Sequence, residues 1–248
     1  MRVALTCIAK NEDNYIKEWV DYHTKLGFDQ VFIYQNDWRC GVPLDNATLI
    51  EFDGHGRQQE AYNNFLRHWY NHYDWVMFLD ADEFLVLKKH SNIKEFIQDY
   101  QQHNIIGINW VIFGNNGLTF DGNYSVLSRF TKRQVGVFHL VKCIVKVDPN
   151  ILWDVHNAVY LKAVDTNHRV FKTGINEHGD DTIAQINHYF CKTWDEFCIK
   201  RNRGRADTTP NDPLFIKKES DFEAHNLNEI EDTFALDFYL DKHEKTYI

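Results

Sequence analysis

Asp80-Ala81-Asp82-Glu83 places three carboxylates within four positions, directly after the apolar run Trp75-Val76-Met77-Phe78-Leu79. Burial of that run as a strand brings the acids together at one sheet edge. Like charges held so close raise one another's pKa unless something positive lies between them. A hard divalent cation, Mg²⁺ or Mn²⁺, answers that problem, binding through one or two carboxylates and completing its shell with substrate phosphates. Asp-x-Asp at a strand end therefore points to metal-assisted chemistry on a diphosphate. By itself the triplet is equally an acidic loop after a core strand, so its neighbours carry the argument.

The elements that must position the acids are legible in the first third of the chain. Residues 3–9 are a short apolar run, hence a buried strand, ending at Lys10-Asn11-Glu12-Asp13-Asn14. Residues 15–26 carry Tyr15, Ile16, Trp19, Val20 and Leu26 at helical spacing, with Gly27 as the stop. Residues 30–34 form a second strand ending at Gln35-Asn36-Asp37, and 47–52 a third ending at Asp53-Gly54. A helix over 58–70 leads into the strand 75–79 that bears the acids. Further on, 93–101 reads as a helix, 105–113 and 138–147 as strands, and 196–205 as a basic helix. This order predicts an α/β fold with a mostly parallel central sheet and right-handed crossovers. Ligands bind beyond the carboxyl ends of the strands in such sheets. Lys10, Asn11, Asn36, Asp37, Asp53 and the triplet would gather there, and that convergence outweighs any single motif.

Bulk properties bound the function. The 248 residues suit one α/β domain with a small addition, and 44% hydrophobic and 15% aromatic residues suffice for a sizeable core. Net charge of −9 argues against nucleic acid as a partner. It does not oppose a phosphate ligand, because a bound cation reverses the local sign. Five cysteines without metal-type spacing favour a reducing compartment. No run approaches the ~20 apolar residues of a membrane span, so the expectation is a cytoplasmic protein; its basic stretch is a solvated helix face or, alternatively, a contact for phosphate or for an anionic membrane surface. That stretch comprises Lys192, Lys200, Arg201, Arg203 and Arg205.

At this point the motifs resemble a known group. Cys7-Ile8-Ala9-Lys10-Asn11-Glu12, Asp80-Ala81-Asp82-Glu83-Phe84, Trp110-Val111-Ile112-Phe113-Gly114 and Ile186-Asn187-His188-Tyr189 follow in order, with Lys192-Thr193, Glu196-Phe197, Lys200 and Arg203-Gly204 after them. The series resembles GT-A glycosyltransferases of the family-2-like and family-92-like groups, including short viral and bacterial members. The likeness spans roughly residues 1–205. It implies a Rossmann-like GT-A domain over 1–215; the tail over 216–248 lies outside the likeness, and its acidic composition reads as a helical, solvated appendage.

The resemblance also implies roles. Ala9, Lys10, Asn11 and Glu12, with Asn36, Asp37 and nearby Asp53, would hold the nucleotide base and ribose. Asp82, with Asp80 directly or through ribose and water, would bind Mn²⁺ or Mg²⁺ on the donor diphosphate, beside Ala81. A later histidine often joins the metal in such enzymes. His156 fits the usual chain order slightly better, which leaves His188 for a substrate or phosphate contact beside Lys192. From the residues alone, Arg57 and Gln59 are candidates to reach the diphosphate. An inverting transfer needs a carboxylate to take the acceptor proton; Asp121, Asp154 and Asp181 are alternative candidates, and each is otherwise a turn or capping residue.

The expected function is a metal-dependent, inverting glycosyltransferase that moves a sugar from a nucleotide donor, a UDP-sugar, to a glycan or glycolipid. A nucleotidyltransferase is one rival, but it would carry a Gly-rich phosphate loop after its first strand, and Lys10-Asn11-Glu12-Asp13 is no such loop. A non-catalytic carbohydrate-binding protein is the other. It would have little reason to keep the acids and the polar strand ends together.

Overall fold

Strand β1 (Val3–Ala9) is buried at every position and organises the sheet around it. Its odd positions, Val3, Leu5 and Cys7, join a core with Trp19 and Val20, while Ala4 and Ile8 face a second core with Phe65 and Leu66. Two buried faces explain the continuous apolar run. The computed structural model describes residues 1–159, 161–172, 174–204, 207 and 217–241.

After β1 come α1 (Ile16–Lys25), β2 (Gln30–Gln35), β3 (Ala47–Glu51), α2 (Gln58–Trp69) and β4 (Trp75–Phe78). Then follow β5 (Glu83–Leu87), α3 (Ile93–Gln98), β6 (Ile105–Ile112), the short α4 (Val126–Arg129), β7 (Lys132–Arg133) and β8 (Val141–Lys146). The rest comprises β9 (Ala163–Val164), β10 (Val170–Phe171), β11 (Ala184–His188), α5 (Trp194–Arg203), α6 (Glu219–His225), β12 (Ile230–Glu231) and α7 (Phe234–Tyr239).

The main sheet runs β3-β2-β1-β4-β8-β6-β9-β10, with β11 joined to β6 and β5 to β11. β1, β2, β3 and β4 are mutually parallel, as expected from the alternation of strands and helices. β8 is antiparallel to both β4 and β6, so β4 and β6 point the same way. β11 runs parallel to β6 and antiparallel to β5. The carboxyl ends of β1, β2, β3, β4, β6 and β11 consequently share one edge.

The segment after residue 216 differs from the solvated appendage expected of it. β12 pairs with β7, buried Asp232 bonds Arg133 at 2.7 Å, and Ala235 enters the first core. Phe222 and Ala235, set among acids, supply the buried contacts that composition alone concealed. The expected boundary at 215 and 216 lies outside the described residues. Among the described residues no helix is long and apolar enough to cross a membrane.

Candidate active site

The charge problem posed by the triplet is met by three protein groups. Asp80 accepts hydrogen bonds from Gln58 Nε2 at 2.7 Å and from Tyr62 at 3.5 Å, and its second oxygen meets Lys142 Nζ at 3.0 Å. Burial works against its ionisation, but Lys142 more than offsets this and holds the carboxyl below its ordinary range. Asp82 pairs with Lys200 Nζ and lies 3.6 Å from His188 Nε2. Burial pushes its pKa up, and Lys200 and then His188 pull it well below normal. Glu83, fully buried, bonds the Asp80 amide at 2.9 Å and lies 3.5 Å from Lys142. Burial raises its pKa well above the usual carboxylate range despite Lys142. It is a support beneath the site, at the opening of β5.

His188 is placed by its strand. It pairs with Glu83 across β5 and β11, and the next residue, Tyr189, donates its amide to the Asp82 carbonyl at 2.9 Å. Burial lowers the His188 pKa, favouring the neutral imidazole that ligates metals. His156 lies near enough to Asp80 for their charges to interact, with Nδ1 donating to the Val141 carbonyl at 3.1 Å. The Trp110 ring lies near both histidines, 4.3 Å from the His188 ring and 5.3 Å from that of His156.

Among the described residues no three His, Cys, Asp or Glu side chains form a metal-holding group. Asp82 and His188 face one another. Two protein donors suit a hard cation that keeps water and phosphate ligands, and they do not suit a structural metal. The residues thus fit Mn²⁺ or Mg²⁺ carried with a diphosphate.

The strand-end residues do converge. Asn36 donates to the Phe52 and Gly54 carbonyls at 3.1 and 2.6 Å. Asp37 accepts from the Gly54 amide at 3.0 Å and pairs with Lys10 at 3.1 Å. Asp53 accepts from the Asp37 amide at 3.0 Å and pairs with Arg39 at 2.7 Å. Arg57 pairs with Glu60, donates to the Asp53 carbonyl at 2.6 Å and stacks 4.2 Å from the Phe52 ring. Gln59 is exposed on α2, so Gln58, one position earlier, is the glutamine that reaches the acids.

Helix α5 closes the other side. Its Thr193–Glu196 capping box fixes the first turn, and Glu196 receives both Arg129 nitrogens, at 2.9 and 2.7 Å, and the Tyr15 hydroxyl at 2.8 Å. Burial would raise the Glu196 pKa, yet Arg129 and these donors bring it to about 2. One turn on, Lys200 faces Asp82, while Arg203 pairs with buried Glu12 and donates to the Lys10 carbonyl at 2.5 Å. Lys192 lies with Nζ 3.3 Å from the Tyr15 ring centroid, its pKa lowered by burial although Glu12 and Asp82 oppose this. The cavity enclosed by Asn11, Glu12, Tyr15, Asp82, Lys192 and Lys200 is about 30 Å³, room for little more than a water. A ligand larger than this would meet the Lys200 and Arg203 side chains, which line the cavity. Asn11, Asp37 and Lys192 all adopt left-handed backbone, with φ of 54°, 44° and 49°. Such conformations cost energy and concentrate at ligand sites.

Ala9 and Ala81 are buried at the ends of β1 and β4 and contribute backbone and shape. Of the base candidates, Asp121 is exposed on the loop that follows β6 and accepts the Asn123 amide at 3.0 Å. Asp154 is exposed and bonds the Val155 amide at 2.8 Å. Asp181 lies past the Leu87–Ala184 end of the β5–β11 ladder, opposite the His188 end, paired with Lys88 at 3.0 Å and Arg133 at 2.7 Å. Lys142 escaped sequence reasoning, although a lysine inside Val141-Lys142-Cys143-Ile144-Val145 signals a charge buried for a reason. Arg205 lies outside the described residues.

Known proteins bear directly on this arrangement. The family model for glycosyltransferase family 92 matches residues 49–236. Family 92 proteins from Arabidopsis thaliana, Ricinus communis and Oryza sativa subsp. japonica are 23%, 24% and 25% identical to it. The alignments cover 77%, 79% and 80% of this chain, against 35%, 36% and 35% of the relatives. The chain therefore spans about a third of the length of these relatives, which are plant proteins rather than the short viral or bacterial members expected. Among solved structures, the Francisella tularensis 2-C-methyl-D-erythritol 4-phosphate cytidylyltransferase covers 59% of this chain and 73% of its own, at 12% identity and a TM-score of 0.30, a likeness too slight to argue from. The family match takes in most of the chain, both the triplet and the His188–Arg203 stretch included, and on that ground the chain belongs to glycosyltransferase family 92.

Proposed function

We propose that this chain is a glycosyltransferase catalytic domain that transfers a sugar, with inversion, from a UDP-sugar to a hydroxyl of a glycan or glycolipid. The observation that carries the proposal is Asp82, a buried carboxylate facing His188 and Lys200 at the carboxyl edge of a family 92 fold. Ala9 to Glu12, Asn36, Asp37 and Asp53 form the rim for base and ribose. Lys200, Arg203 and Lys192 bring positive charge to the diphosphate, offsetting the leaving group's charge as the glycosidic bond breaks. Asp82 and His188 would hold Mn²⁺ or Mg²⁺, with His188 taking the role that chain order suggested for His156. When bound, the ion acts as a Lewis acid for the departing phosphates. Asp80, held by Gln58 and Lys142, faces the donor as an oriented carboxylate. Asp121 is the base candidate best placed to take the acceptor proton, since its loop leaves the same edge.

Calorimetry of UDP with and without Mn²⁺ tests the reading. Wild-type protein binds UDP more tightly with the metal, and Asp82→Ala abolishes that gain. Metal-independent UDP binding, unaffected by Asp82→Ala, would overturn it. Slow hydrolysis of a UDP-sugar without acceptor separates a transferase from a carbohydrate binder, which releases no UDP.

A further inference from the structure

We propose that Phe120 and Tyr124, on the loop between β6 and α4, form the acceptor subsite and stack against a pyranose ring of the acceptor glycan. The inference rests on the glycosyltransferase reading and extends it to the half of the site that the donor residues leave undefined.

Position comes first. β6 ends on the edge where β4 delivers the acids, and the Phe113 amide donates to the His188 carbonyl at 3.1 Å. The loop that follows starts beside the metal-facing strand. Its rings then lead away from the cleft. Tyr15 lines the cavity with Asp82, Tyr124 meets Tyr15 edge-on at 5.6 Å, and Phe120 lies 4.9 Å from Tyr124. Tyr124 is 37% exposed and Leu118, on the same loop, 39%. Phe120 is half-buried, with the Arg129 guanidinium 5.9 Å from its ring centroid, so Tyr124 and Leu118 are the groups that leave apolar surface in water beside the cleft for a ligand to cover. The C–H faces of a pyranose supply the matching apolar plane, and its hydroxyls suit the exposed Asp121 and Asn123 between the two rings.

The loop is also held rigid, which reduces the ordering cost of binding. Asn115 and Asn116 donate their amides to the side chains of Asn226 and Asn228, at 2.8 and 2.7 Å. Glu18 grips the other end, accepting from the Ser125 hydroxyl at 2.6 Å and the Val126 amide at 2.7 Å. A Cβ at Gly114 would overlap the Asn228 amide, so the C-terminal segment packs against the loop's first residue. A surface tip braced from two sides serves a recognition site better than it serves a simple connection.

Saturation-transfer NMR with lactose, cellobiose and xylobiose tests the subsite on the full chain. Wild-type protein transfers saturation to at least one disaccharide, Tyr124→Ala and Phe120→Ala weaken that binding about tenfold, and Tyr124→Phe retains it. UDP–Mn²⁺ binding measured on the same samples stays within about twofold of wild type, which controls for folding. Disaccharide binding that survives both alanine variants, or is absent from wild-type protein, overturns the subsite. Failure of the glycosyltransferase reading registers separately, as loss of metal-dependent UDP binding in the wild type.

Discussion

Lys200 and Asp82 form an ion pair across 118 positions of chain, tying α5 to the end of the β4 strand. The pair contributes to the local electrostatics without an added cation: burial raises the Asp82 pKa, and Lys200, His188 and Lys192 together reverse it. Lys200 thereby stands where a diphosphate-bound cation would compete for the same oxygen. Displaced, the ammonium remains on the helix beside Arg203, close to where phosphates would lie.

Removal of the competitor exposes this relationship. Lys200→Met leaves Asp82 facing His188 alone, so free Mn²⁺ binds about tenfold more tightly, a change of about 1.4 kcal/mol. UDP binding in the presence of Mn²⁺ weakens in the same variant, because a phosphate partner is lost. Calorimetry reads both, and unchanged Mn²⁺ affinity would show that the lysine and the cation do not share the carboxylate.

Adjacent glutamines on α2 should behave oppositely. Gln58 donates to Asp80 at 2.7 Å, whereas Gln59 is exposed. Hydrogen bonds to charged groups contribute roughly 1.5–3 kcal/mol, so Gln58→Ala costs about 2 kcal/mol of stability and lowers donor affinity. Gln59→Ala stays within about 0.5 kcal/mol of wild type. Urea denaturation of the two variants side by side decides the matter.

The difference between those glutamines shows where the sequence stops being legible. Strands and helices from Val3 to Phe78 follow from apolar periodicity, and their parallel order brings Asn36, Asp37, Asp53 and Asp80 to one edge because chain direction alone dictates it. Which α2 residue points inward depends on how the helix is turned against the sheet, and neighbouring positions on a helix differ by about 100°. That His188 faces Asp82 follows from β11 being inserted between β5 and β6, a pairing that no local pattern encodes. The C-terminal segment misled through composition. Its acids mask the few apolar side chains, Phe222 and Ala235 among them, that fasten it down.

Lys142 offers a sharper stability test. It is fully buried and faces Asp80 at 3.0 Å and Glu83 at 3.5 Å. Burial disfavours its charge, but the two carboxylates raise its pKa overall. Removing one partner of a buried ion pair costs about 3–5 kcal/mol, since the remaining charge has no compensation. Lys142→Met should lower the urea midpoint accordingly, and adding Asp80→Asn, which removes the carboxylate left unpaired, should restore part of the loss. A wild-type midpoint for Lys142→Met would mean that the carboxylates need no internal cation.

Acid sensitivity should trace to buried histidines. His23 is fully buried on α1, where Nδ1 donates to the Trp19 carbonyl at 2.8 Å and Nε2 accepts the Leu85 amide at 3.3 Å. Burial lowers its pKa from the ordinary 6.5 to about 3, only partly opposed by the Trp19 carbonyl. Above pH 6.5 the ring is neutral in both the folded and the unfolded chain, and nothing is lost. As pH falls below that value the unfolded chain takes up a proton that the native site refuses, so stability declines, and the decline levels off near pH 3. By pH 5 the loss from this one group is about 2 kcal/mol. His156, brought to about 4 by burial and by Lys142, adds a loss of the same sign. Urea denaturation at pH 8 and pH 5 should show the decline in wild type and a smaller one in His23→Gln, which keeps an amide able to bond both backbone groups. Equal declines in the two proteins would mean that the folded chain accommodates a charged His23 after all.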